Sequence, residues 1–131
     1  DANFMLAGRY VNNQLQKFLE KSIIKKIAKA KAKKILVCGT TYKANVPDIR
    51  NSLSLNIYLN IKKRKNLNVD AYDPIIDEIT KKKYKIKRTV KNLSNYDLII
   101  VLVKHKSYLE VLKKHKKKMP TKYLDIFRYI S

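Results

Sequence analysis

Two uninterrupted apolar runs constrain the fold of this chain more than any other feature of its sequence. Residues 35–38 form the first run, which ends directly before Gly39, and residues 98–103 form the second. Runs without polar alternation are typical of parallel strands that are covered on both faces. Three shorter segments predict further strands, at residues 69–72, 86–90 and 123–126.

Helix-forming segments lie between these strands. Residues 53–61 predict a helix that starts near Ser52, residues 75–83 predict a weaker helix, and residues 108–118 predict a third that Pro120 ends. Alternating strands and helices argue for an α/β fold, with a parallel sheet and helices on both faces. The 131 residues leave room for one such domain with an extra element at one end.

A long helix is predicted for residues 3 to about 30, ahead of the first strand. Its apolar residues recur at three- and four-residue steps, at Val11, Leu15, Phe18, Leu19, Ile23 and Ile27. This stripe must be covered: either the helix folds back on the sheet, or it packs against another part of the protein or a second subunit. A dimerisation helix is therefore one structural interpretation of the segment.

The net charge of +21 indicates attraction to polyanions. The alternative is a lysine-rich protein with ordinary solvated faces, since lysine occurs in almost every predicted surface segment. The basic runs at 62–65, 81–83 and 113–118 lie at helix ends, where cations suit the helix dipole. The sequence lacks zinc-finger spacing, a basic zipper and an RNP-like aromatic motif, so nucleic acid is not the expected partner. A stand-alone basic module that binds nucleic acid or another polyanion stays as the alternative function.

Two further features of the sequence bear on location. No run approaches 18 consecutive apolar residues, the length of a transmembrane helix, so we expect no membrane partner. The single cysteine excludes an internal disulfide framework and fits a reducing compartment. We therefore expect a cytoplasmic protein.

Polar residues follow four of the predicted strands, in segments 39–43, 72–74, 104–106 and 125–128. Ligands of open parallel sheets bind beyond the carboxyl ends of the strands, so these segments predict a site. Lys43 is a candidate anion ligand. Arg50 suits bidentate phosphate contacts, although it could simply pair with Asp48. His105 is as readily a residue that orients its loop as a ligand, and Asp73 fits plain turn chemistry.

The sequence points to no catalytic residue and no metal site within this chain. Cys38 lies inside an apolar run, where a thiol stays protonated and unreactive. His105 and His115 lack partner residues at ligand spacing. With only two glycines, the chain cannot contain a Gly-x-Gly-x-x-Gly turn for an ordinary NAD site.

The loop after the first strand carries a distinctive series of residues, namely Gly39-Thr40-Thr41-Tyr42-Lys43, Asn45, Asp48-Ile49-Arg50 and Ser52. The series resembles the C-terminal, nucleotide-sugar-binding domain of the UDP-glucose/GDP-mannose dehydrogenase family. That domain has Gly-x-x-Phe-Lys, an Asn-containing loop, Asp-x-Arg and a helix-starting Ser.

Other segments extend the resemblance over nearly the whole chain. Residues 69–74 resemble the family's strand ending Tyr-Asp-Pro. Residues 105–108 are similar to a segment of members that oxidise UDP-N-acetylmannosamine. Residues 9–13 are similar to the Arg-x-x-Asn segment on the helix that joins the halves of these enzymes and forms their dimer contact.

The resemblance implies a Rossmann-like three-layer α/β/α parallel sheet preceded by a long connecting helix. Residues 1–32 would be the end of the central connecting and dimerisation helix, and residues 33–131 the UDP-binding domain. The full-length protein would be an NAD-dependent UDP-sugar 6-dehydrogenase. Such an enzyme oxidises the C6 alcohol of UDP-N-acetylmannosamine or UDP-glucose to the uronate, through a cysteine thioester.

By the same resemblance, Lys43 and Arg128 would contact the UDP-sugar, and Arg50 would reach NAD. Arg128 stands one residue later than the arginine of the family's Asp-x-Arg, and Ala44 stands where the family commonly has Pro. The family's NAD fingerprint and catalytic cysteine lie upstream of the matched region. NAD would therefore be bound mainly by a domain absent from this chain, which alone would be inactive. The implied partners are that NAD-binding half and a second subunit.

Overall fold

The computed structural model describes the backbone of residues 2–130 and the side chains of residues 12–130. Its helices and strands are α1 (Ala2–Ala30), β1 (Lys34–Cys38), α2 (Leu53–Lys62), β2 (Asn68–Tyr72), α3 (Glu78–Tyr84), β3 (Ile86–Lys87), β4 (Leu98–Val101), α4 (Lys106–Lys118) and β5 (Tyr123–Asp125). Two single 3₁₀ turns, Leu93–Asn95 and Pro120–Lys122, lead into β4 and β5. The alternation of strand and helix follows the sequence prediction.

All five strands pair in parallel, in the order β3-β2-β1-β4-β5. The strand β1 lies at the centre of the sheet, between β2 and β4. The chain builds the sheet outward from β1 in one direction and then, through β4, in the other. The expected Rossmann-like α/β/α architecture is confirmed.

Both faces of the sheet are covered, which explains the absence of polar alternation in the central strands. Ile35 and Val37 of β1 face the layer that holds α1 and α2. Leu36 and Cys38 face the opposite layer, which holds α4. Because alternate side chains of a strand point to opposite faces, a strand buried on both sides must be apolar at every position.

The helix α1 divides its apolar stripe between two environments. Leu19, Ile23 and Ile27 are buried in the core formed with α2. Leu15 is partly exposed, and Phe18 is 67% exposed. The helix thus folds back on the domain over its second half and leaves apolar surface uncovered before it. The side chains of residues 9–11, which belong to the Arg-x-x-Asn resemblance, lie outside the described residues.

Several predicted boundaries shift for local reasons. The helix predicted at 75–83 begins at Glu78, because the Asp77 carboxylate accepts the Thr80 N–H at 2.8 Å and caps it. The strand predicted at 86–90 keeps only the two residues that pair with β2. The second apolar run leaves the sheet at Val101, where its pairing with β5 also ends. The helix predicted at 108–118 begins two residues earlier, and the strand predicted at 123–126 ends at Asp125.

Gly39 ends β1 in a conformation and a space that only glycine fits. Its φ is +98°, and a Cβ placed there would lie 2.5 Å from the Val103 Cβ and 2.8 Å from the Val103 backbone nitrogen. The close approach brings the ends of β1 and β4 together. A side chain at this position would therefore separate the two strands that carry the polar loops.

We predict that Gly39→Ala lowers the free energy of unfolding by about 2–4 kcal/mol, from backbone strain and overpacking combined. Urea denaturation followed by circular dichroism measures the change. The matched control is Lys85→Gly at another left-handed position, with φ of 56°. That change relieves strain and should alter stability by less than about 1 kcal/mol. A Gly39→Ala chain as stable as the wild type would contradict the role of the close approach.

Candidate functional site

The carboxyl ends of the strands gather four polar segments at one edge of the sheet, here called the carboxyl edge. Gly39 follows β1, Asp73 follows β2, His105 follows β4 and Asp125 ends β5. The sheet order reverses direction between β1 and β4, and such a switch point opens a crevice for ligands. The predicted convergence of these segments is confirmed, with the loop after β1 in the middle.

A buried hydrogen-bond network ties this edge together. Asp73 and His105 are both 0% exposed, and His105 Nε2 lies 3.1 Å from Asp73 Oδ2. The same oxygen accepts hydrogen bonds from the Thr40 backbone N–H at 2.8 Å and from the Thr40 hydroxyl at 2.9 Å. The other oxygen, Oδ1, accepts the Ile75 N–H at 3.2 Å. Asp73 therefore joins the ends of β1, β2 and β4.

These donors decide the protonation of Asp73. Burial raises the pKa of its carboxyl, but the hydrogen bond and charge interaction with His105 and the hydrogen bonds from Thr40 and Ile75 together lower it by more. The net pKa lies below the ordinary value of 3.8. The carboxylate is consequently ionised at neutral pH despite its complete burial.

His105 holds the loop after β1 with its other ring nitrogen. The Asn45 N–H donates to His105 Nδ1 at 3.0 Å. Because a backbone N–H can only donate, Nδ1 must accept, and the ring proton lies on Nε2, towards Asp73. Thr41 Oγ1 lies 3.3 Å from Nε2 and donates to the Lys43 carbonyl at 3.0 Å. The structure thus supports the loop-orienting alternative for His105.

Asn45 completes the anchorage of this loop, and its φ of 65° places it in the left-handed region. Its side-chain oxygen accepts the Lys106 N–H at 2.8 Å. This N–H belongs to the first turn of α4 and has no acceptor within the helix, so Asn45 supplies one. Ser52, which caps α2 through the Leu55 N–H, donates to the Thr40 carbonyl at 2.7 Å. Residues 40–45 are therefore held in place by residues at the start of α2 and at the start of α4.

The three predicted ligands all lie on loops of the carboxyl edge. Lys43 is exposed in the fixed loop after β1. The Arg50 side chain is 86% exposed and forms a two-pronged ion pair with Asp48, at 2.9 and 3.1 Å. Hydrogen bonds from Arg50 lower the pKa of the Asp48 carboxyl to about 2. This surface pairing is the alternative that the sequence left open for Arg50.

Arg128 lies in a tight turn after β5. The Asp125 carboxylate accepts the N–H groups of Tyr129 and Ile130 at 2.7 and 2.6 Å, and the Arg128 N–H donates to the Asp125 carbonyl at 3.1 Å. Arg128 has a φ of 57°, and its side chain is exposed. The turn presents this arginine at the same edge as Lys43.

The described residues give little support for a reactive cysteine, a metal site or a membrane-spanning helix. Cys38 is fully buried, and burial raises the pKa of its thiol far above the ordinary value. No group of three His, Cys, Asp or Glu side chains among residues 12–130 could hold a metal ion. None of the described helices is both long enough and apolar enough to cross a bilayer.

Sequence reasoning missed the structural importance of Asp73, Thr40 and Thr41. An Asp before Pro suggests a turn, and threonines after a strand suggest a solvated loop. The signal that could have found them is their common position: each lies within three residues of the end of a strand, at the edge where His105 also lies. The residues that contact one another here lie 32 to 64 positions apart in the chain. Local sequence patterns do not encode contacts over such separations.

Comparison with known proteins identifies relatives of this chain. The model of the UDP-glucose/GDP-mannose dehydrogenase family, UDP binding domain, matches residues 36–130. The chain is 32% identical over 114 residues to the UDP-N-acetyl-D-glucosamine 6-dehydrogenase of Salmonella typhi. The aligned region covers 82% of this chain and 26% of that protein. The chain is 27% identical over 116 residues to the UDP-N-acetyl-D-mannosamine dehydrogenase of Campylobacter jejuni, covering 85% and 28%.

A solved structure agrees with these matches. The UDP-N-acetyl-mannosamine dehydrogenase Cap5O from Staphylococcus aureus superposes with a TM-score of 0.73 at 25% identity, covering 95% of this chain and 29% of that one. The chain thus spans about a quarter of the length of the curated relatives it matches.

We predict that Asp73→Asn destabilises the chain by about 1–3 kcal/mol at neutral pH, because it removes a buried charge from four donors. The folded-state pKa is depressed, so the carboxylate stabilises the fold above the unfolded pKa, and this stabilisation is lost as pH falls through the folded pKa. The difference between wild type and variant should therefore shrink below about pH 4. Urea midpoints between pH 7 and pH 3 measure it. A constant difference over that range would contradict an ionised Asp73.

A matched pair of variants separates the two contacts of His105. His105→Asn keeps an acceptor near the Nδ1 position, whereas His105→Gln keeps a donor near Nε2 for Asp73. We predict that His105→Asn loses more global stability, since it leaves a buried carboxylate short of a donor. We predict that His105→Gln instead exposes the Asn45 amide to rapid hydrogen exchange. Equal protection of that amide in both variants would show that the ring does not hold the loop.

Proposed function

Because the chain belongs to the UDP-glucose/GDP-mannose dehydrogenase family, we propose that its carboxyl edge binds the nucleotide part of a UDP-sugar. The observation that carries this proposal is the loop of residues 40–45 at the centre of that edge. Its backbone is fixed by His105 and Ser52, while Lys43 stays exposed. A preorganised loop lets one ammonium group meet a phosphate with little further ordering.

The second proposed substrate contact is Arg128. It follows β5, next to β4 in the sheet, whereas Lys43 follows β1 on the other side of β4. The two cations therefore flank the end of β4 from either side. A nucleoside diphosphate carries negative charge on neighbouring phosphates, and Arg offers a planar fork of N–H donors that suits such oxygens.

The proposed activity belongs to the full-length enzyme. It oxidises the C6 alcohol of UDP-N-acetylmannosamine or UDP-glucose to the uronate, with NAD as the hydride acceptor. In this proposal the residues of this chain bind and orient the substrate, and Cys38 plays no part in the chemistry. The named relatives act on N-acetylated UDP-sugars, which supports UDP-N-acetylmannosamine over UDP-glucose.

The turn after β1 does not fit the pyrophosphate of NAD. Val103 fills the space above Gly39. The Thr40 and Thr41 side chains are buried, and their hydroxyls donate hydrogen bonds to Asp73 and to the Lys43 carbonyl, respectively. We therefore assign NAD mainly to a domain outside these 131 residues, and this chain alone should be inactive. Arg50 is the proposed contact to that cofactor, since its pairing with Asp48 uses Nε and Nη2 and leaves Nη1 for another acceptor.

The helix α1 has a proposed double role. Residues 1–32 form the end of a connecting helix, and residues 33–131 form the UDP-binding domain. The buried half of the stripe, from Leu19 to Ile27, holds α1 on this domain. Leu15 and Phe18 stay exposed, which supports a second subunit or the NAD-binding half as their cover.

We predict that Lys43→Ala weakens UDP-sugar binding to this chain by about 10-fold to 100-fold, the usual effect of losing a hydrogen bond to a charged group. Isothermal titration with UDP-N-acetylmannosamine measures the change. The matched control is Lys33→Ala, which removes an equal charge from an exposed lysine directly before β1, at the opposite edge of the sheet. It should leave affinity within about twofold.

The control decides between a site and general attraction to a basic protein. Equal losses in Lys43→Ala and Lys33→Ala would contradict specific binding at the carboxyl edge. The same would follow if binding fell with salt as steeply for UDP-sugar as for an unrelated polyanion.

A further inference from the structure

The fold gathers much of the positive charge at the edge opposite the candidate site. Strands of a parallel sheet are joined by helices that run back, so each helix ends near the amino end of the following strand. The part of this amino edge that runs from β2 to β5 is formed by segments 29–34, 63–65 and 116–118 together with Asp97 and Lys122. The three segments contain four, three and three lysine or arginine residues, Lys122 adds one more, and Asp97 is the single carboxylate among them. We call this surface the basic edge.

A cleft of about 490 Å³ shows that separate segments of the basic edge meet in space. It is lined by Lys29 and Lys31 from the end of α1 and by Lys122 from the turn before β5. The single carboxylate of this cleft, Asp97, accepts the N–H groups of Lys33 and Lys34 at 2.9 Å each. These bonds fix the carboxylate, which also interacts with the charges of Lys34 and Lys122, so it offsets one of the positive charges at this edge.

The helix dipole does not account for this concentration. Cations in the last turn of a helix interact with its carboxyl end, and Lys29 and residues 116–118 fit that explanation. Lys31, Lys33 and residues 63–65 follow their helices and lie in connecting loops. Two such charges about 10 Å apart repel each other by about 0.4 kcal/mol even in water. A bound polyanion would relieve this repulsion.

The chemistry of the basic edge favours the phosphates of a nucleic acid over a bilayer or a protein. Its cations are almost all lysine, a point charge that contacts phosphate without reading base edges. The large exposed apolar side chains of residues 12–130 are Leu15, Phe18, Tyr42, Ile79, Val111 and Phe127, and none belongs to the basic edge. It therefore offers no wedge for a membrane interface and no aromatic anchor for a protein partner.

We propose that the basic edge binds duplex nucleic acid through sequence-independent phosphate contacts, separately from the carboxyl edge. The strands β2 and β5, beside which it begins and ends, lie three strand spacings apart, or about 14 Å. Duplex DNA carries one phosphate charge per about 1.7 Å of its axis, so about eight charges span this distance. About half of them face the protein, which gives about four contacts.

The test is fluorescence anisotropy with a labelled 16-base-pair DNA duplex of arbitrary sequence, titrated with the chain at several KCl concentrations. Four phosphate contacts predict that log K falls with log[KCl] at a slope of about −4. Combining Lys29→Gln, Lys31→Gln and Lys33→Gln should weaken binding at least 10-fold at about 100 mM KCl and make the slope shallower by about 2 to 3. All three side chains are exposed, so circular dichroism should stay unchanged.

The matched control removes three exposed charges from the carboxyl edge, with Lys87→Gln, Lys104→Gln and Lys106→Gln, and should weaken binding less than about threefold. Equal losses in the two triple variants would overturn the proposal, because the attraction would then come from net charge alone. Binding to vesicles that contain phosphatidylserine but not to the duplex would also overturn it. UDP-sugar at saturation should not displace the duplex, and displacement would show that the duplex occupies the carboxyl edge instead.

Discussion

The hydrogen bond between Asp73 and His105 is the constraint on which the carboxyl edge depends. A carboxylate with no exposure to water is stable only when donors replace its hydration. Here those donors come from Thr40 after β1, Ile75 after β2 and His105 after β4. Three strand ends must therefore keep one relative position. The loop that presents Lys43 takes its shape from the opposite side of the same histidine ring.

The layers of the fold could be predicted from the sequence because they depend on local pattern. The run at residues 35–38 is apolar at every position since both faces of β1 are covered. Ser52 was expected near the start of α2, and its hydroxyl does cap that helix. The resemblance carried by residues 39–52 is confirmed by the family match. The limits of α3 and β3 were less predictable. The cap at Asp77 sets the start of α3, and pairing with β2 limits β3 to two residues.

The interior of the candidate site could not be predicted in the same way. Thr41 and His105 are 64 positions apart in the chain, and Asp73 and His105 are 32 apart. Their contact follows from strand order and register, which place β1 between β2 and β4. A sequence pattern shows a polar residue after each strand, but it does not show which of them is buried. For His105 it left two roles open, and only three-dimensional proximity to Asn45 separates them.

The same topology produces both edges of the molecule. Because each helix runs antiparallel to the strands, α2 and α4 begin at the carboxyl edge and end at the amino edge. Their amino ends add positive potential near Lys43, where a phosphate is proposed to bind. Their carboxyl ends attract lysines, and the loops beyond add more cations than the dipoles need. Eleven of the 31 lysine and arginine residues thereby lie at the basic edge, about one strand length of 15 Å from the carboxyl edge. Two anionic ligands could then bind without sharing a single cation.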